Sequence, residues 1–553
     1  MHLFTTIAGL RRYLDLNRFK SLDPSRQQPP ATGMALLDGS HQTILPKSVG
    51  LVPTMGALHA GHLSLIQRAR QENDLVGVSI FVNPLQFGPG EDFHSYPRTL
   101  EQDQQLCQQS GVDVIFAPSA AELYGKLPDA GLPESQALTQ VVPPVSMMAG
   151  LCGRFRPGHF QGVATVVTKL FSIVQPDRAY FGQKDAQQLA ILQRMVADLN
   201  LPVEVIGCPI VRESNGLALS SRNQYLSAEE RSQSTVLYRS LQRAQTALKS
   251  GKTSREALLA AVQQELATVP QVKPQYIELV NPSTMAPLEQ IEDLGLLAIA
   301  AHVGSTRLID NILLQNRKPI LAIDGPAGAG KSTVVRQVAQ ALGLVHLDTG
   351  AMYRAVTWLT LHSGIAIEDE AAIAELVSQC EITLGHQPSS QDSPSSSAIP
   401  QVWINGHNVT QAIRSLEVTA QVSAIAAQPA VRRELVKQQQ SYGRKGGIVM
   451  EGRDIGTQVF PQAELKIFLT ASVQERARRR FQELRGQTNI TLEQLEQDIA
   501  ERDRQDSTRP IAPLRKADDA IEIQSDFLSI DEVTAKIVCL YQEKLAVLNG
   551  DSV

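Results

Sequence analysis

Short apolar runs alternate along this chain with stretches in which apolar residues recur at helical spacing. In the first half Val49–Val52, Val76–Val82, Val112–Phe116, Ala179–Phe181 and Val203–Ile206 predict strands. Leu63–Arg70 and Ala164–Val174 predict helices between them. That alternation favours a parallel sheet with helices packed on it, an α/β layer. Near Ile210 the pattern changes: two helical stretches, Ala228–Ser250 and Ser254–Thr268, precede strand-like pieces at Tyr276–Val280 and Leu296–Val303. A third α/β pattern opens with the apolar run Ile320–Asp324 and a helix from Thr333. The boundaries expected are therefore 1–209, a small unit 210–314, a linker 315–319, and 320–553. No internal repeat relates the halves. Segments 21–47 and 386–400 are rich in Pro, Ser and Gln and are expected to be mobile loops without a catalytic role.

Composition adds mainly exclusions. The net charge of -5 gives no electrostatic reason for a nucleic-acid partner. Five scattered cysteines with no CxxC pair suggest neither a disulfide framework nor a zinc site. No apolar run approaches a membrane span and no signal peptide is evident, so a cytoplasmic protein without a membrane partner is expected.

Chemistry enters with two different nucleotide loops. Pro53-Thr54-Met55-Gly56-Ala57-Leu58-His59-Ala60-Gly61-His62 is an HxGH loop between a strand and a helix. Its imidazoles can donate to a triphosphate, helped by the helix N-terminus, and Gly61 would let a base approach the backbone. Alone the string is weak, but it has company: Asn83-Pro84-Leu85-Gln86, Tyr96-Pro97-Arg98-Thr99 with Asp103, Arg156-Pro157-Gly158-His159, Gly182-Gln183-Lys184-Asp185 with Gln188, Val211-Arg212-Glu213, and Leu219-Ser220-Ser221-Arg222-Asn223. In this order the motifs resemble pantothenate synthetase (pantoate–β-alanine ligase) from residue 1 to about 314. The resemblance implies a Rossmann-like nucleotidyltransferase domain with a small C-terminal lid domain. It implies that pantoate attacks the α-phosphate of ATP and that β-alanine then displaces AMP. His59, His62, Lys184, Ser220, Ser221 and Arg222 would stabilise the pentavalent phosphate. Pro53, Thr54, Met55, Gly56, Gly182, Gln183, Asp185, Val211 and Leu219 would complete the ATP site. Asn83, Gln86 and Gln188 would hold pantoate and β-alanine, and Asp103 would be a Mg²⁺ ligand. Asn83 and Gln86 could equally cap a strand end beside Pro84, and Asp185 could simply cap the helix starting at Ala186.

In the second half Gly325-Pro326-Ala327-Gly328-Ala329-Gly330-Lys331-Ser332-Thr333 is a P-loop in the expected context, strand before and helix after. Its backbone N–H groups would wrap phosphates, Lys331 would reach the β- and γ-phosphates, and Ser332 would hold Mg²⁺. The loop does not name the acceptor. Asp348-Thr349-Gly350-Ala351-Met352-Tyr353-Arg354, Glu451-Gly452-Arg453-Asp454, Arg476 to Arg480, and Arg502 to Arg509 with Asp506 follow it. Together these strings resemble bacterial-type cytidylate kinase from about Lys318 to Leu545, a P-loop nucleoside monophosphate kinase fold. The resemblance implies that Thr349, Arg354, Ser423, Arg432, Asp454, Arg502, Asp506 and Arg509 bind CMP or dCMP, and that Arg453 assists phosphoryl transfer. Arg476 to Arg480 would sit on a lid over ATP, with one or two of the arginines functional; the bland reading is a solvated helix face.

The expectation is one chain carrying a ligase and a kinase, with Mg²⁺ but no organic prosthetic group, using ATP, pantoate, β-alanine and CMP or dCMP. By resemblance the ligase half implies a homodimer. Two other readings compete: a kinase-like half that only senses nucleotides, and an enzyme transferring aminoacyl groups to RNA. Retention of Lys331, Arg354 and Arg502 argues against the first, and the acidic balance against the second.

Overall fold

The computed structural model describes residues 1–18, 47–125, 138–385, 401–483, 490–508 and 512–549. Nearly all of 21–47, all of 386–400, and Arg509 lie outside them. The chain divides into two compact units, Met1–Asn316 and Arg317–Val553.

Among the described residues the first unit is built on six parallel strands: β1 (His2–Phe4), β2 (Val49–Thr54), β3 (Leu75–Ile80), β4 (Val114–Phe116), β5 (Arg178–Gly182) and β6 (Glu204–Cys208), in the order β1-β4-β3-β2-β5-β6. β2 and β3 are buried along nearly their whole length, as strands covered on both faces must be. One face packs on helices Ile7–Arg18 and His159–Val174 through Leu10, Leu14, Val163 and Leu170. The other packs on helix Ala60–Glu72 through Leu65, Ile66 and Ala69. β2 is where strand order reverses, so the loop leaving its carboxyl end opens into the crevice that α/β sheets use for ligands.

The rest of this unit has its own core, in which helices Val236–Lys249 and Arg255–Leu266 cover an antiparallel sheet of β7 (Val272–Val280), β8 (Leu294–Val303) and β9 (Thr306–Gln315). The helix expected over 228–250 is two helices, Ala228–Ser234 and Val236–Lys249, meeting at Thr235. β9 had no counterpart among the expected strands. It runs through Gln315, and the next strand begins at Lys318, so the segment expected as a linker contributes to two sheets.

The second unit holds β10 (Lys318–Asp324), β11 (Val345–Asp348), a small antiparallel sheet of β12 (Ile382–Gly385), β13 (Gln401–Ile404) and β14 (His407–Asn408), then β15 (Gly446–Gly452), β16 (Leu465–Thr470) and β17 (Ile521–Gln524). Its main sheet is parallel, ordered β11-β15-β10-β16-β17, with helices Lys331–Leu342 and Ile530–Asn549 on one face. A separate core joins helices Thr349–His362, Glu370–Ser378, Leu416–Ala427 and Pro429–Gly443 to the small sheet. β10 lies between β15 and β16, which places the P-loop, Asp348 and Glu451 together at the carboxyl end of the sheet. Among the described residues no helix is long and apolar enough to cross a membrane.

Candidate active sites

The first site is a cavity of about 280 Å³ at the carboxyl ends of β2 and β5. It is lined by Pro53, Thr54, Met55, His59, His62, Asn83, Gln86, Gly182, Lys184, Asp185, Gln188, Val211, Leu219, Ser220, Ser221 and Arg222. Three expected residues are elsewhere. Gln183 turns its side chain towards Gly207. Gly56 lies behind the loop at φ +81°, where a Cβ would meet the Asp103 carboxylate at 3.0 Å. Asp103 is a correction. It is 1% exposed and accepts the backbone N–H groups of Ala57 (3.0 Å) and Leu58 (2.8 Å), so it braces the loop rather than offering oxygens to Mg²⁺.

The histidines are set by their own helix start. The Gly61 N–H donates to His59 Nδ1 at 3.1 Å, and the His59 N–H to His62 Nδ1 at 3.4 Å, a reciprocal cap. With Nδ1 accepting, each neutral ring carries its proton on Nε2 and is a donor there. Burial, then the charge of Lys184, lowers His59 to about 4. Burial, then His59 and Lys184, lowers His62 to about 3. Gly61 is required by this cap as well: a Cβ there would stand 2.8 Å from His59 Cε1.

Neighbouring turns are locked to the same loop. Ser220 caps the turn Ser221–Tyr225, and Ser221 Oγ donates to Ala57 O at 3.4 Å. Arg222 is held in a bidentate pair by Asp92 at 2.8 and 2.9 Å. Asn83 does cap its turn, accepting from Leu85 N–H, and also accepts from Tyr124 OH at 2.7 Å while donating to Gly162 O. Helix His159–Val174 approaches so closely at Gly162 that any Cβ would overlap the Leu85 carbonyl. Asp185 occupies the N-cap position but makes no side-chain cap, and its exposed carboxylate faces the cavity.

Several lining residues carried no role in the sequence reading. His159 Nδ1 donates to Gln86 O at 2.8 Å and Nε2 accepts from Arg156 at 3.1 Å; burial, then Arg156, lowers it to about 4. Arg156 forks onto Glu91. From β9, Asn311 donates to Gln183 O (3.0 Å) and Lys184 O (2.9 Å), fixing the segment that carries Lys184. Tyr276 and Arg307 also line the cavity. The quoted RPGH string marked Arg156 and His159, but no motif marked β9.

The second site gathers round the P-loop. Gly325, Gly328 and Gly330 all have positive φ, and a Cβ at Gly325 would collide with Leu469 O. Lys331 Nζ donates to Gly325 O and Pro326 O, both at 2.7 Å. Burial first, then Arg453, lowers it to about 8. Ser332 Oγ donates to Glu451 at 2.8 Å, and His346 Nε2 lies 3.1 Å from the other Glu451 oxygen. Asp324 is buried beneath, accepts the Ile455 and Gly456 N–H groups, and is pushed up by burial to about 7.

The expected CMP residues divide. Arg453 Nη1 donates to Asp506 Oδ1 at 2.7 Å, and the second oxygen of Asp506 is buried without a partner among the described residues. Arg354 donates to Thr419 Oγ1 and feels the charges of Asp348, Arg502 and Arg414. Ser423 and Arg502 are exposed on their helices. Thr349 donates its buried hydroxyl to Glu451 O at 2.8 Å. Arg432 and Asp454 are both buried and paired with each other, with Arg432 over the Tyr353 ring. In the arginine run, Arg476 is buried, pairs with Asp503 and donates to the P-loop carbonyl of Ala327, whereas Arg478 is exposed on Glu475. Arg479 reaches Glu475 and Ser525.

Glu451 and Ser332 are hard oxygen donors beside the phosphate loop, a set that suits Mg²⁺. Among the described residues no group of three or more His, Cys, Asp or Glu is placed to hold a metal ion.

The family model for pantoate-β-alanine ligase matches residues 35–313, and that for cytidylate kinase matches 321–543. A bifunctional pantoate ligase/cytidylate kinase of Nostoc sp. is 61% identical over 99% of this chain and 100% of its own. A protein of the same name from Trichormus variabilis is also 61% identical, over 99% of this chain and 100% of its own. Pantothenate synthetase of Thermus thermophilus is 44% identical, covering 56% of this chain and 99% of its own, with a TM-score of 0.47.

Proposed function

Because the chain belongs to the family of bifunctional pantoate ligase/cytidylate kinases, we infer that each of its two units runs one ATP-dependent reaction. The first condenses pantoate with β-alanine to pantothenate, and the second phosphorylates CMP to CDP. The observation that carries this reading is that each unit places a phosphate-binding loop at the carboxyl end of its own parallel sheet, with different chemistry beside each loop.

In the ligase unit a pantoate carboxylate oxygen attacks the α-phosphorus, the bond to the β-phosphate bridge breaks, and pyrophosphate leaves. Nε2–H of His59 and His62 donates to the phosphate oxygens as neutral imidazole, and Lys184 supplies the positive charge. Gln86 and Gln188 hold pantoate. The β-alanine amine, once deprotonated, attacks the acyl carbon, and AMP departs with the former carboxylate oxygen. No covalent enzyme intermediate is needed, so orientation of bound reactants does most of the work.

In the kinase unit a CMP phosphate oxygen attacks the γ-phosphorus and ADP leaves. The P-loop N–H groups and Lys331 hold ATP, and Arg453, Arg354 and Arg502 steady the acceptor phosphate and the transferring group. Mg²⁺, when bound with ATP, neutralises phosphate charge, and Ser332 and Glu451 would hold it. Arg432 and Asp454 shape the acceptor side as a pair. dCMP is an alternative acceptor, a dimer forms through the ligase half, and the enzyme works in the cytoplasm.

Chromatography of products made with Mg-ATP tests both halves. Pantoate plus β-alanine should give AMP, pyrophosphate and pantothenate, and CMP should give ADP and CDP. AMP production without CDP would leave the second unit as a nucleotide sensor.

A further inference from the structure

Among the described residues three arginines line the ligase cavity. Arg156 forks onto Glu91 and Arg222 onto Asp92, so the charge of each is matched. Arg307 is different. Its Nε donates to Gln275 Oε1 at 2.9 Å and its Nη2 to Cys152 Sγ at 3.3 Å, both neutral partners, and it has no carboxylate partner among the described residues. The nearby Asp310 is already taken bidentately by Arg212 at 2.7 and 2.9 Å. Cys152 is itself held by Tyr276 OH at 3.3 Å and, through its backbone N–H, by Gln187 Oε1 at 2.9 Å. The guanidinium is thus oriented by two neutral groups on a cavity wall while Nη1 and the remaining Nη2 hydrogen stay available.

Given the ligase reading, on which this inference rests, the anions of the reaction can be assigned in turn. The phosphates fall to His59, His62 and Lys184, and pantoate loses its charge when it is adenylated. The anion left over is the carboxylate of β-alanine. We propose that Arg307 anchors that carboxylate through a bidentate guanidinium pair and so aims the amine at the acyl carbon. Strand β9 supports the placement. Asn311 clamps the backbone of Lys184, and Arg307 lies four residues away on the same face of the strand, about 13 Å along it. One strand therefore registers the α-phosphate end of the site to the β-alanine end.

The test uses the purified full-length chain. Arg307→Gln should lower kcat/KM for β-alanine by about 30- to 100-fold, the usual loss for a charge-assisted pair. Pantoate-dependent ATP–pyrophosphate exchange, measured without β-alanine, should change by less than about twofold, since the anchor acts after adenylation. Arg307→Lys should recover part of the β-alanine KM. The decisive comparison replaces β-alanine with propylamine, which has the amine but no carboxylate. Wild type should discriminate strongly between the two amines, and Arg307→Gln should lose most of that discrimination. Unchanged discrimination would overturn the proposal, as would an equal fall in exchange and ligation, which marks a purely structural arginine. Wild type that makes no pantothenate would instead overturn the ligase reading itself.

Discussion

His59 and His62 show how a local cap sets a reactive state. Each Nδ1 accepts a backbone N–H, so the proton sits on Nε2, and burial together with Lys184 keeps both rings neutral far below the ordinary value of 6.5. In the unfolded chain these rings bind protons below pH 6.5, whereas in the fold they do so only near 4 and 3. Their contribution to stability is therefore complete above pH 6.5 and is lost as pH falls from there towards 4 and 3. Thermal unfolding of the ligase unit should show a falling midpoint across that window, and His62→Asn should flatten the dependence. Two lysines separate the chemistries at the same scale. Lys331→Ala should cut CMP phosphorylation by about 10²- to 10³-fold and leave pantothenate synthesis intact, and Lys184→Ala should do the reverse. Either variant losing both activities as a soluble folded protein would break the two-unit account.

At the scale of elements, Asp103 is the clearest consequence of folding. It lies in helix Leu100–Gln109, remote in sequence from the HxGH loop, and its carboxylate holds Ala57 and Leu58 by their N–H groups. Ala57 has φ +51°, a conformation that a non-glycine residue keeps only when neighbours impose it. Asp103→Ala leaves two donors without their acceptor and should cost about 1–3 kcal/mol of stability. ATP kinetics should weaken with it, while the Mg²⁺ concentration giving half-maximal rate should stay unchanged. A large rise in the Mg²⁺ requirement would restore the metal-ligand role. Much of this level was legible in advance: strands β2, β3, β5 and β10 lie within a few residues of their apolar runs. β9 was not, because Thr306–Gln315 groups its residues in pairs, Thr306-Arg307, Leu308-Ile309 and Asp310-Asn311, and so lacks the strict alternation that marks a half-buried strand.

Over the whole molecule, the two units meet in sequence at Asn316 and Arg317. Among the described residues each has its own hydrophobic cores and its own two sheets. The two reactions share ATP but no intermediate. Fragments 1–316 and 317–553 should therefore each fold and keep the kcat of the intact chain within about threefold, since a unit with its own hydrophobic core can fold alone. Steady-state assays on the separated fragments check this, and a tenfold loss in either would reveal coupling.

Which chemistries are present can be read from short runs of consecutive residues. The HxGH loop, the GQKD and SSRN strings, the P-loop and the DTGAMYR and EGRD strings are local, because phosphate binding uses consecutive backbone N–H groups at the start of a helix. Tertiary structure alone decided how those residues are used. Asp103 became a brace, Thr349 a tether for β15, and Arg432 and Asp454 a buried pair, since a charge or hydroxyl takes whichever partner burial brings to it. It also brought β9 to the cavity wall, with Asn311 on Lys184 and Arg307 facing the site. Asn311 is over a hundred positions from the Lys184 segment it holds, and no local spacing in the chain records a contact made only when β9 packs on the turn that follows β5.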